Sequence, residues 1–349
     1  MQQLKACLML VTVLWLAGCS AYPHQPLRTV SPTSTPTPRP IQLPADDAPH
    51  GDLTEWWYYT GHLTAATGER YGFEFVVFQA KRQDAPVLYA AHFAVTDHQR
   101  QQFSYDQRTW TRDASPSALD LTDQDWSLTQ KGASDLLKAT MPGYAINLSL
   151  TPERPPALHG GNGLISFGDV GDSYYYSETR LAVQGTLTDH GVTKDVTGLS
   201  WKDRQWGNFL VMPNGGWDWV SLQMNDGTDL MLFDLRGVLD QISPSYGTIV
   251  PPDNPAKSLQ PGAAQLVATG SWTSPHTQVT YPSGWTLDLP DQGLHVRLVP
   301  VLKDQELDTR KTTGQIYWEG EVTVMGTKQE KPVQGEGYVE LTGYATMGK

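Results

Sequence analysis

Apolar and polar residues alternate along much of this chain with a period of two residues. The alternation is clearest in five segments: Tyr71–Phe78, Arg180–Leu187, Asp229–Leu235, Leu294–Val301 and Gly320–Met325. Segments of this kind, bounded by glycine, asparagine, aspartate and proline, indicate β-strands joined by hairpins. A helical period near 3.6 residues is suggested only around Ala133–Ala139. The pattern therefore predicts an all-β fold.

The same pattern occurs twice in the same order, which indicates an internal duplication. An aromatic strand, a glycine turn and an apolar strand begin at Trp57 and again at Trp217. Two further pairs of segments match in order: Tyr176–Gly185 with Tyr317–Gly326, and Val196–Asp203 with Val333–Glu340. The copies lie about 140 to 160 residues apart. We expect two small antiparallel β-barrels, at 45–212 and 213–349, with one large sandwich as the alternative.

The first residues have the pattern of a secretion signal. Lys5 precedes an apolar run, Ala6–Leu16, that is too short to span a bilayer. Small residues then lead into Cys19, which resembles a bacterial lipoprotein signal at 1–18. The resemblance implies cleavage before Cys19, acyl chains such as palmitate on Cys19, and, with Ser20, a lipid anchor in the outer membrane facing the periplasm. An ordinary secretory signal is the alternative.

Composition limits what the remaining chain does. Residues 19–44 are rich in proline, serine and threonine, which predicts an extended tether carrying the lipidated cysteine. The only cysteines are Cys7 and Cys19, so the folded part has no disulfide and no thiol nucleophile. A net charge of −12 argues against nucleic acid as a partner. Protein partners are not indicated.

Glu55 stands out because it lies directly beside two tryptophans and two tyrosines. On a strand, Glu55, Trp57 and Tyr59 share one face, and Trp56 and Tyr58 share the other. A carboxylate beside aromatic rings is costly to ionise, so Glu55 is a candidate proton donor over an aromatic wall. The alternative is a structural pair with an arginine that closes the end of a barrel.

Asp203 and Arg204 follow each other in a tryptophan-rich segment, and on a strand they point to opposite faces. Asp203 is a second candidate proton donor. Arg204 is a candidate partner of Glu55 through a bidentate contact, or it stacks on a tryptophan. Clusters of this kind also serve packing alone.

Three other groups have both a functional and a structural interpretation. His92, between apolar neighbours, is either a buried core histidine or an acid–base group. Tyr176 and Arg180 either bind the polar end of a ligand or form the rim of a strand. Trp217 and Asp218 lie at the junction of the two halves, where ligand sites are common. Serine-hydrolase, zinc-protease, phosphate-loop and dinucleotide motifs are absent, and no histidine spacing suggests a metal site or a cofactor.

These residues together resemble the carotenoid 1,2-hydratase and AttH-like family of tandem lipocalin-like (calycin) proteins. The matching segments are His50–Leu63, His92-Phe93, Tyr176–Leu181, Gly198–Gly207, Gly216–Trp219 and Gly337–Tyr344. The resemblance covers about residues 45 to 349 and implies two lipocalin-like barrels. It also implies an isoprenoid, polyene or lipid-like ligand and, in some relatives, hydration or cyclisation without a cofactor.

We therefore expect an apolar small molecule to bind in the interior of a barrel, with acid-catalysed hydration or isomerisation as one hypothesis. Any chemistry is expected in the first barrel, near the junction, with Glu55 facing Arg204 or Arg180. The catalytic candidates are Glu55, His92, Asp203 and Arg204. The ligand-binding candidates are His50, Trp57, Tyr59, Tyr176, Arg180, Trp206, Trp217 and Asp218. A non-catalytic carrier of hydrophobic ligands, or an envelope interaction protein whose barrels are filled by their own side chains, are the competing functions.

Overall fold

The computed structural model describes residues 39–82, 85–113, 115–167, 171–209, 215–236 and 245–346. The predicted signal peptide, Cys19 and most of the predicted tether lie outside these residues. None of the helices in this part of the chain has the length and apolar character needed to cross a bilayer.

A twelve-stranded antiparallel sheet is built from the first half of the chain. Its strands are β1 (Thr54–Ala65), β2 (Arg70–Ala80), β3 (Val87–Asp97), β4 (Gln102–Arg112), β5 (Asp120–Asp123), β6 (Trp126–Lys131), β7 (Ser134–Met141), β8 (Tyr144–Pro152), β9 (Ala157–Leu158), β10 (Leu164–Ser166), β11 (Asp172–Asp189) and β12 (Val192–Gly207). They are ordered β4-β3-β2-β1-β12-β11-β8-β7-β6-β5, with β9 and β10 both paired to β11.

The second half of the chain repeats this plan in a ten-stranded sheet and a small two-stranded ribbon. The strands are β13 (Gly216–Met224), β14 (Asp229–Arg236), β15 (Ser245–Val250), β16 (Lys257–Ser258), β17 (Gln265–Ala268), β18 (Ser271–Thr273), β19 (Thr280–Pro282), β20 (Trp285–Leu289), β21 (Leu294–Pro300), β22 (Glu306–Thr309), β23 (Gln315–Lys328) and β24 (Lys331–Leu341). The sheet order is β16-β15-β14-β13-β24-β23-β21-β20-β17, with β22 on β23, and β18 pairs with β19. Short 3₁₀ turns lie at Ala45–Asp47, His159–Gly161, Pro290–Gln292 and Tyr344–Thr346.

The predicted all-β, tandem lipocalin-like fold is confirmed as two curled, nearly closed antiparallel sheets. In each sheet the first strand pairs with the last, β1 with β12 and β13 with β24. The hairpins expected from the repeated segments are also present, as β1–β2, β13–β14, β11–β12 and β23–β24. Each sheet curls around an interior of its own, and in the first sheet the edge strands β4 and β5 meet, since Arg112 donates to the carbonyl oxygens of Asp120 and Thr122.

Each interior is packed with side chains from alternate positions of its strands. Trp57 and Tyr59 point into the first interior, and Val220 and Trp318 point into the second. A third apolar cluster, which includes Tyr58, Trp201 and Trp219, lies between the sheets and takes side chains from both. The remaining face of β1 is therefore buried rather than solvated.

Residues 39–50 cover one end of the first sheet with a chain of polar contacts. The indole of Trp57 donates to the carbonyl oxygen of Asp47 at 2.8 Å. Lys202, fully buried on β12, pairs with Asp47 at 2.8 Å and with Asp135 at 2.9 Å. The ring of His50 stacks on Trp206, with ring centroids 4.4 Å apart. This segment therefore belongs to the folded domain.

Candidate active site

A mainly apolar cavity of about 350 Å³ lies between the two sheets. Aromatic side chains from both sheets line it, among them Trp56, Tyr58, Phe78, Trp217, Trp219 and Phe233. A ligand of small-molecule size fits cavities in this range. Since both interiors are packed with the protein's own side chains, we place the candidate site between the sheets and not inside the first one.

Strand alternation explains why the cavity has this wall. In β1, Trp56 and Tyr58 face the second sheet, while Trp57 and Tyr59 face the first interior. The pairing of Tyr58 with Asp203 on β12 places that aspartate on the cavity face as well. The sequence-based separation of β1 into two faces is thus correct, but the cavity lies on the face that does not carry Glu55.

Asp203 is buried against the cavity and held by three hydrogen bonds. The hydroxyl groups of Ser177 and Tyr175 donate to its two oxygens, and the indole of Trp201 donates to Oδ1 at 2.6 Å. Burial raises the pKa of Asp203 to about 6, although these donors favour its ionised form. Asp203 therefore carries a negative charge for much of the time near pH 7.

Glu74, on β2, is a second buried carboxyl group in the cavity wall, and none of the ion pairs among the described residues involves it. The Tyr317 hydroxyl donates to Oε1 at 2.8 Å. Oε2 has no hydrogen-bond partner among the described residues. Burial raises the pKa of Glu74 to about 8, so that the group is protonated near pH 7. Glu74 thus presents a carboxylic acid with a free oxygen.

Two more carboxyl groups come from the second sheet. Glu340 accepts a hydrogen bond from the indole of Trp217 at 2.7 Å, and burial raises its pKa to about 7. Glu319, which does not itself line the cavity, accepts a hydrogen bond from the wall residue Tyr58 at 2.8 Å, and burial raises its pKa well above the usual range. The cavity therefore combines aromatic faces with several weak acids.

His92 lies on the cavity face, opposite to the face that carries Glu55. Its Nδ1 lies 2.8 Å from the Tyr317 hydroxyl and its Nε2 lies 3.0 Å from Thr312 Oγ1. Burial lowers the pKa of His92 to about 3, so the ring is neutral. Tyr317 thereby joins His92 to Glu74 in one hydrogen-bonded chain.

Glu55 lies in a different, charged environment at the covered end of the first sheet. Arg204 binds its Oε1, His50 Nδ1 lies 2.6 Å from the same oxygen, and Gln79 donates to Oε2 at 2.7 Å. Burial alone would raise the pKa of Glu55, but Arg204 and His50 bring that pKa below its usual value. Glu55 touches the margin of the cavity but is ionised, which argues against the expected role as a proton donor.

Arg204 is held between the rings of Trp57 and Trp206, 4.0 and 5.0 Å from the ring centroids. Tyr176 donates to Asp47 in the segment that covers this end of the sheet. Glu55 and Arg204 thus form the structural pair that the sequence offered as the alternative. The residues around this pair, which are His50, Trp57, Tyr176 and Trp206, do not line the cavity, and neither does Arg204.

The remaining candidates are distributed over other contacts. Tyr59 donates to Asp135 at 2.7 Å inside the first sheet. Arg180 pairs with Asp229 of the second sheet at 2.9 Å, away from the cavity wall. Asp218 accepts from Arg236 at 3.0 Å. Of the sequence-predicted site residues, the cavity therefore brings together His92, Asp203 and Trp217, with Glu55 at its edge.

Sequence reasoning missed Glu74, Glu319, Glu340 and Tyr317. A signal for them exists, since each carboxylate interrupts an otherwise apolar strand, as Glu74 does between Phe73 and Phe75. The alignment of Trp57 with Trp217 in the two sequence repeats does not hold in the structure. Trp57 faces the first interior whereas Trp217 faces the cavity, so the two strands have exchanged faces at this position, as a shift of one residue would produce.

Comparison with known proteins places this geometry among relatives. Residues 34–344 match the family described as AttH-like. A protein assigned as AttH from Nitrosomonas europaea has a crystal structure that is 31% identical, with a TM-score of 0.80, covering 89% of this chain and 99% of that one. Kievitone hydratase from Nectria haematococca has a TM-score of 0.74 at 20% identity, covering 89% of this chain and 95% of that one. A kievitone hydratase of Fusarium solani subsp. phaseoli is 24% identical over 315 residues, 86% of each chain.

Proposed function

Because this chain belongs to the AttH-like family, we propose that it adds water across a carbon–carbon double bond of an apolar, isoprenoid-like molecule held between its sheets. The name of the Fusarium relative supports a hydratase-type activity. The observation that carries the proposal is the protonated, buried Glu74 in an aromatic cavity, with one carboxyl oxygen free of hydrogen bonds.

Glu74 and Asp203 have the complementary states that such a reaction needs. Glu74 holds a proton near pH 7, whereas Asp203 is largely ionised and fixed by its three donors. Two carboxyl groups whose surroundings separate their pKa values commonly divide the acid and base roles. We assign Glu74 as the proton donor and Asp203 as the carboxylate that stabilises positive charge and accepts a proton.

The reaction balances with these groups and water alone. The π electrons of the alkene bond to the Glu74 proton and form a new C–H bond at the less substituted carbon. The other alkene carbon then becomes a cation. Aromatic faces such as Trp56 and Trp219 stabilise that cation. Water oxygen bonds to the cation and loses a proton to Asp203, so the product is the alcohol. Proton transfer from Asp203 back to Glu74 restores the site.

His92 supports the acid through Tyr317. A neutral imidazole accepts at one nitrogen and donates at the other, so Tyr317 and Thr312 occupy complementary positions on the ring. This arrangement orients the Tyr317 hydroxyl that contacts Glu74 Oε1. We therefore assign His92 as a positioning residue for the proton donor.

The test is turnover of a panel of prenylated and polyene alkenes in oxygen-18-labelled water, followed by mass spectrometry. Wild type is expected to add one labelled oxygen. Glu74→Gln should lower kcat by roughly 10²–10⁴-fold while the alkene still binds. The matched control is Glu330→Gln, which removes an exposed carboxylate and should leave kcat unchanged.

The pH profile gives an independent readout of the same proposal. kcat/KM should fall above about pH 8 as Glu74 ionises, and below about pH 6 as Asp203 becomes protonated. Full turnover by Glu74→Gln would contradict the assignment. Release of an unchanged apolar molecule from wild type, with no turnover of any alkene, would instead support the carrier function.

We also propose that Cys19 carries a lipid anchor that holds the domain at the periplasmic face of the outer membrane. The support is the sequence pattern at 1–19. Metabolic labelling with palmitate in a bacterial host should mark wild type, and Cys19→Ser should lose both the label and the membrane-bound fraction. Labelled Cys19→Ser protein would contradict the proposal.

A further inference from the structure

A group of histidine and glutamate side chains converges at the contact between the sheets, away from the cavity wall. His62 belongs to β1, His98 follows β3, and Glu321 and Glu336 belong to β23 and β24. His62 Nδ1 lies 2.8 Å from Glu321 Oε1 and 3.9 Å from Glu336 Oε2. His98 Nε2 lies 2.7 Å from the other oxygen of Glu321. One carboxylate of the second sheet thus meets two imidazoles of the first.

The group is mostly shielded from water. Glu321 and His62 are buried, and Glu336 is half-buried. Two imidazoles and a second carboxylate surround the Glu321 carboxylate. A buried carboxylate favours a positive partner, which is either a protonated imidazole or a bound cation.

Three donor atoms of the group lie close enough together to share one cation after small shifts. One ligand atom each from His62, Glu321 and Glu336 lies within 4.8 Å of the others. Zinc binds imidazole nitrogen and carboxylate oxygen at about 2.0–2.2 Å, so its ligand atoms lie about 3–4 Å apart. The 3.9 Å between His62 Nδ1 and Glu336 Oε2 lies in this range, and the 2.8 Å between His62 Nδ1 and Glu321 Oε1 would lengthen when an ion replaces that hydrogen bond.

The surroundings of the group fit a bound ion as well. Arg70 contacts the Glu336 oxygen that does not face His62, which fixes the orientation of that carboxylate. Gly72 lacks a side chain where Glu321 enters: a Cβ there would lie 2.4 Å from Glu321 Oε2. We propose that His62, Glu321 and Glu336 bind a divalent cation of the zinc class that links the two sheets, and that His98 orients Glu321 by contacting its other oxygen.

This proposal does not depend on the hydration chemistry. It also explains why histidine spacing gave no metal signal, since the ligands come from strands that are distant in sequence. The binding would be structural, because the ligands join residues of two sheets and lie outside the cavity wall.

The test uses the full chain without a histidine tag, stripped of metal by a chelator and titrated with zinc chloride in a calorimeter. Wild type should bind one equivalent of zinc, and its Tm should rise with zinc. His98→Ala should bind at least ~10-fold more weakly. His295→Ala, which removes an exposed histidine paired with Asp288, is the matched control and should bind as wild type does.

Cobalt substitution reports the ligands directly. Wild type loaded with cobalt chloride should show visible absorption bands typical of nitrogen and oxygen ligation, and Glu336→Gln should change them. Absence of one-equivalent zinc binding in wild type would overturn the proposal, and so would unchanged affinity in both His98→Ala and Glu336→Gln. If His98→Ala lowers the Tm but no zinc binding is seen in either protein, the group is a hydrogen-bonded contact, and that result would also overturn the proposal.

Discussion

At the scale of single residues, two buried glutamates in neighbouring strands differ in charge: Glu55 is ionised and Glu74 is neutral. Burial acts to raise the pKa of both, but Arg204 and His50 lie beside Glu55 and bring its pKa below the usual value. Within the part of the chain that the structure describes, Tyr317 is the only hydrogen-bond donor to Glu74, whose pKa rises to about 8. The presence or absence of a cation, and not burial, separates a structural carboxylate from a candidate acid.

The pKa of Glu74 predicts a pH-dependent stability. Between its ordinary value of 4.5 and about 8, the unfolded chain loses this proton while the folded protein keeps it. The free energy of unfolding therefore falls as pH rises through this window, by at most about 1.4 kcal/mol per pH unit from this group. Glu74→Gln should show a flatter dependence in urea unfolding between pH 5 and 8. Identical slopes for both proteins would contradict the assigned pKa.

The pair of Glu55 and Arg204 predicts a large effect of truncation. Arg204→Ala leaves Glu55 buried without its cation, which should lower the free energy of unfolding by roughly 3–5 kcal/mol. Arg310→Ala removes an exposed pair with Asp308 and serves as the control, with little change expected. Urea denaturation measures both. Equal effects of the two substitutions would show that Glu55 does not depend on Arg204.

At the scale of elements, the strands and their two faces follow from alternation and turn residues in the sequence. The alternation placed Trp57 and Tyr59 together correctly, and it separated them from Trp56 and Tyr58. It did not show that the second face would meet another sheet, because one strand carries no information on which sheet packs against it. The sequence therefore points to the interior of the first sheet, and it gives no reason to single out Glu74.

The contact between β2 and β23 predicts a strict requirement for glycine at position 72. A Cβ at Gly72 would lie 2.4 Å from Glu321 Oε2 and 2.5 Å from the Tyr338 hydroxyl. Gly72→Ala should therefore cost about 1–3 kcal/mol through overpacking. Gly51→Ala, where the nearest atom is Lys81 Nζ at 3.7 Å, is the control. Chemical denaturation compares them, and a neutral Gly72→Ala would mean that the sheets separate easily here.

At the scale of the whole molecule, the two sheets share an apolar cluster that neither can bury alone. Met231 lies in that cluster, is buried, and does not line the cavity. Arg180 adds an ion pair with Asp229 across the same contact. The two halves should therefore unfold together.

This predicts a single transition in scanning calorimetry for the full chain. Met231→Ala should lower the free energy of unfolding by about 2–5 kcal/mol and shift that transition as one peak. Leu222→Ala, in the interior of the second sheet, is the comparison and should also shift the whole peak. Two separate peaks, or a shift of only part of the heat absorbed, would mean that the sheets fold independently.

The alternation of faces along β1 has a consequence for divergence within such proteins. One set of positions builds the packed interior, and the intervening set builds the cavity wall and part of the cluster that joins the sheets. Substitutions at Trp56 or Phe78 would alter the shape of the cavity without opening a void behind Trp57. The fold can therefore change its cavity while the first interior stays intact, and the stability at risk is that of the contact between the sheets.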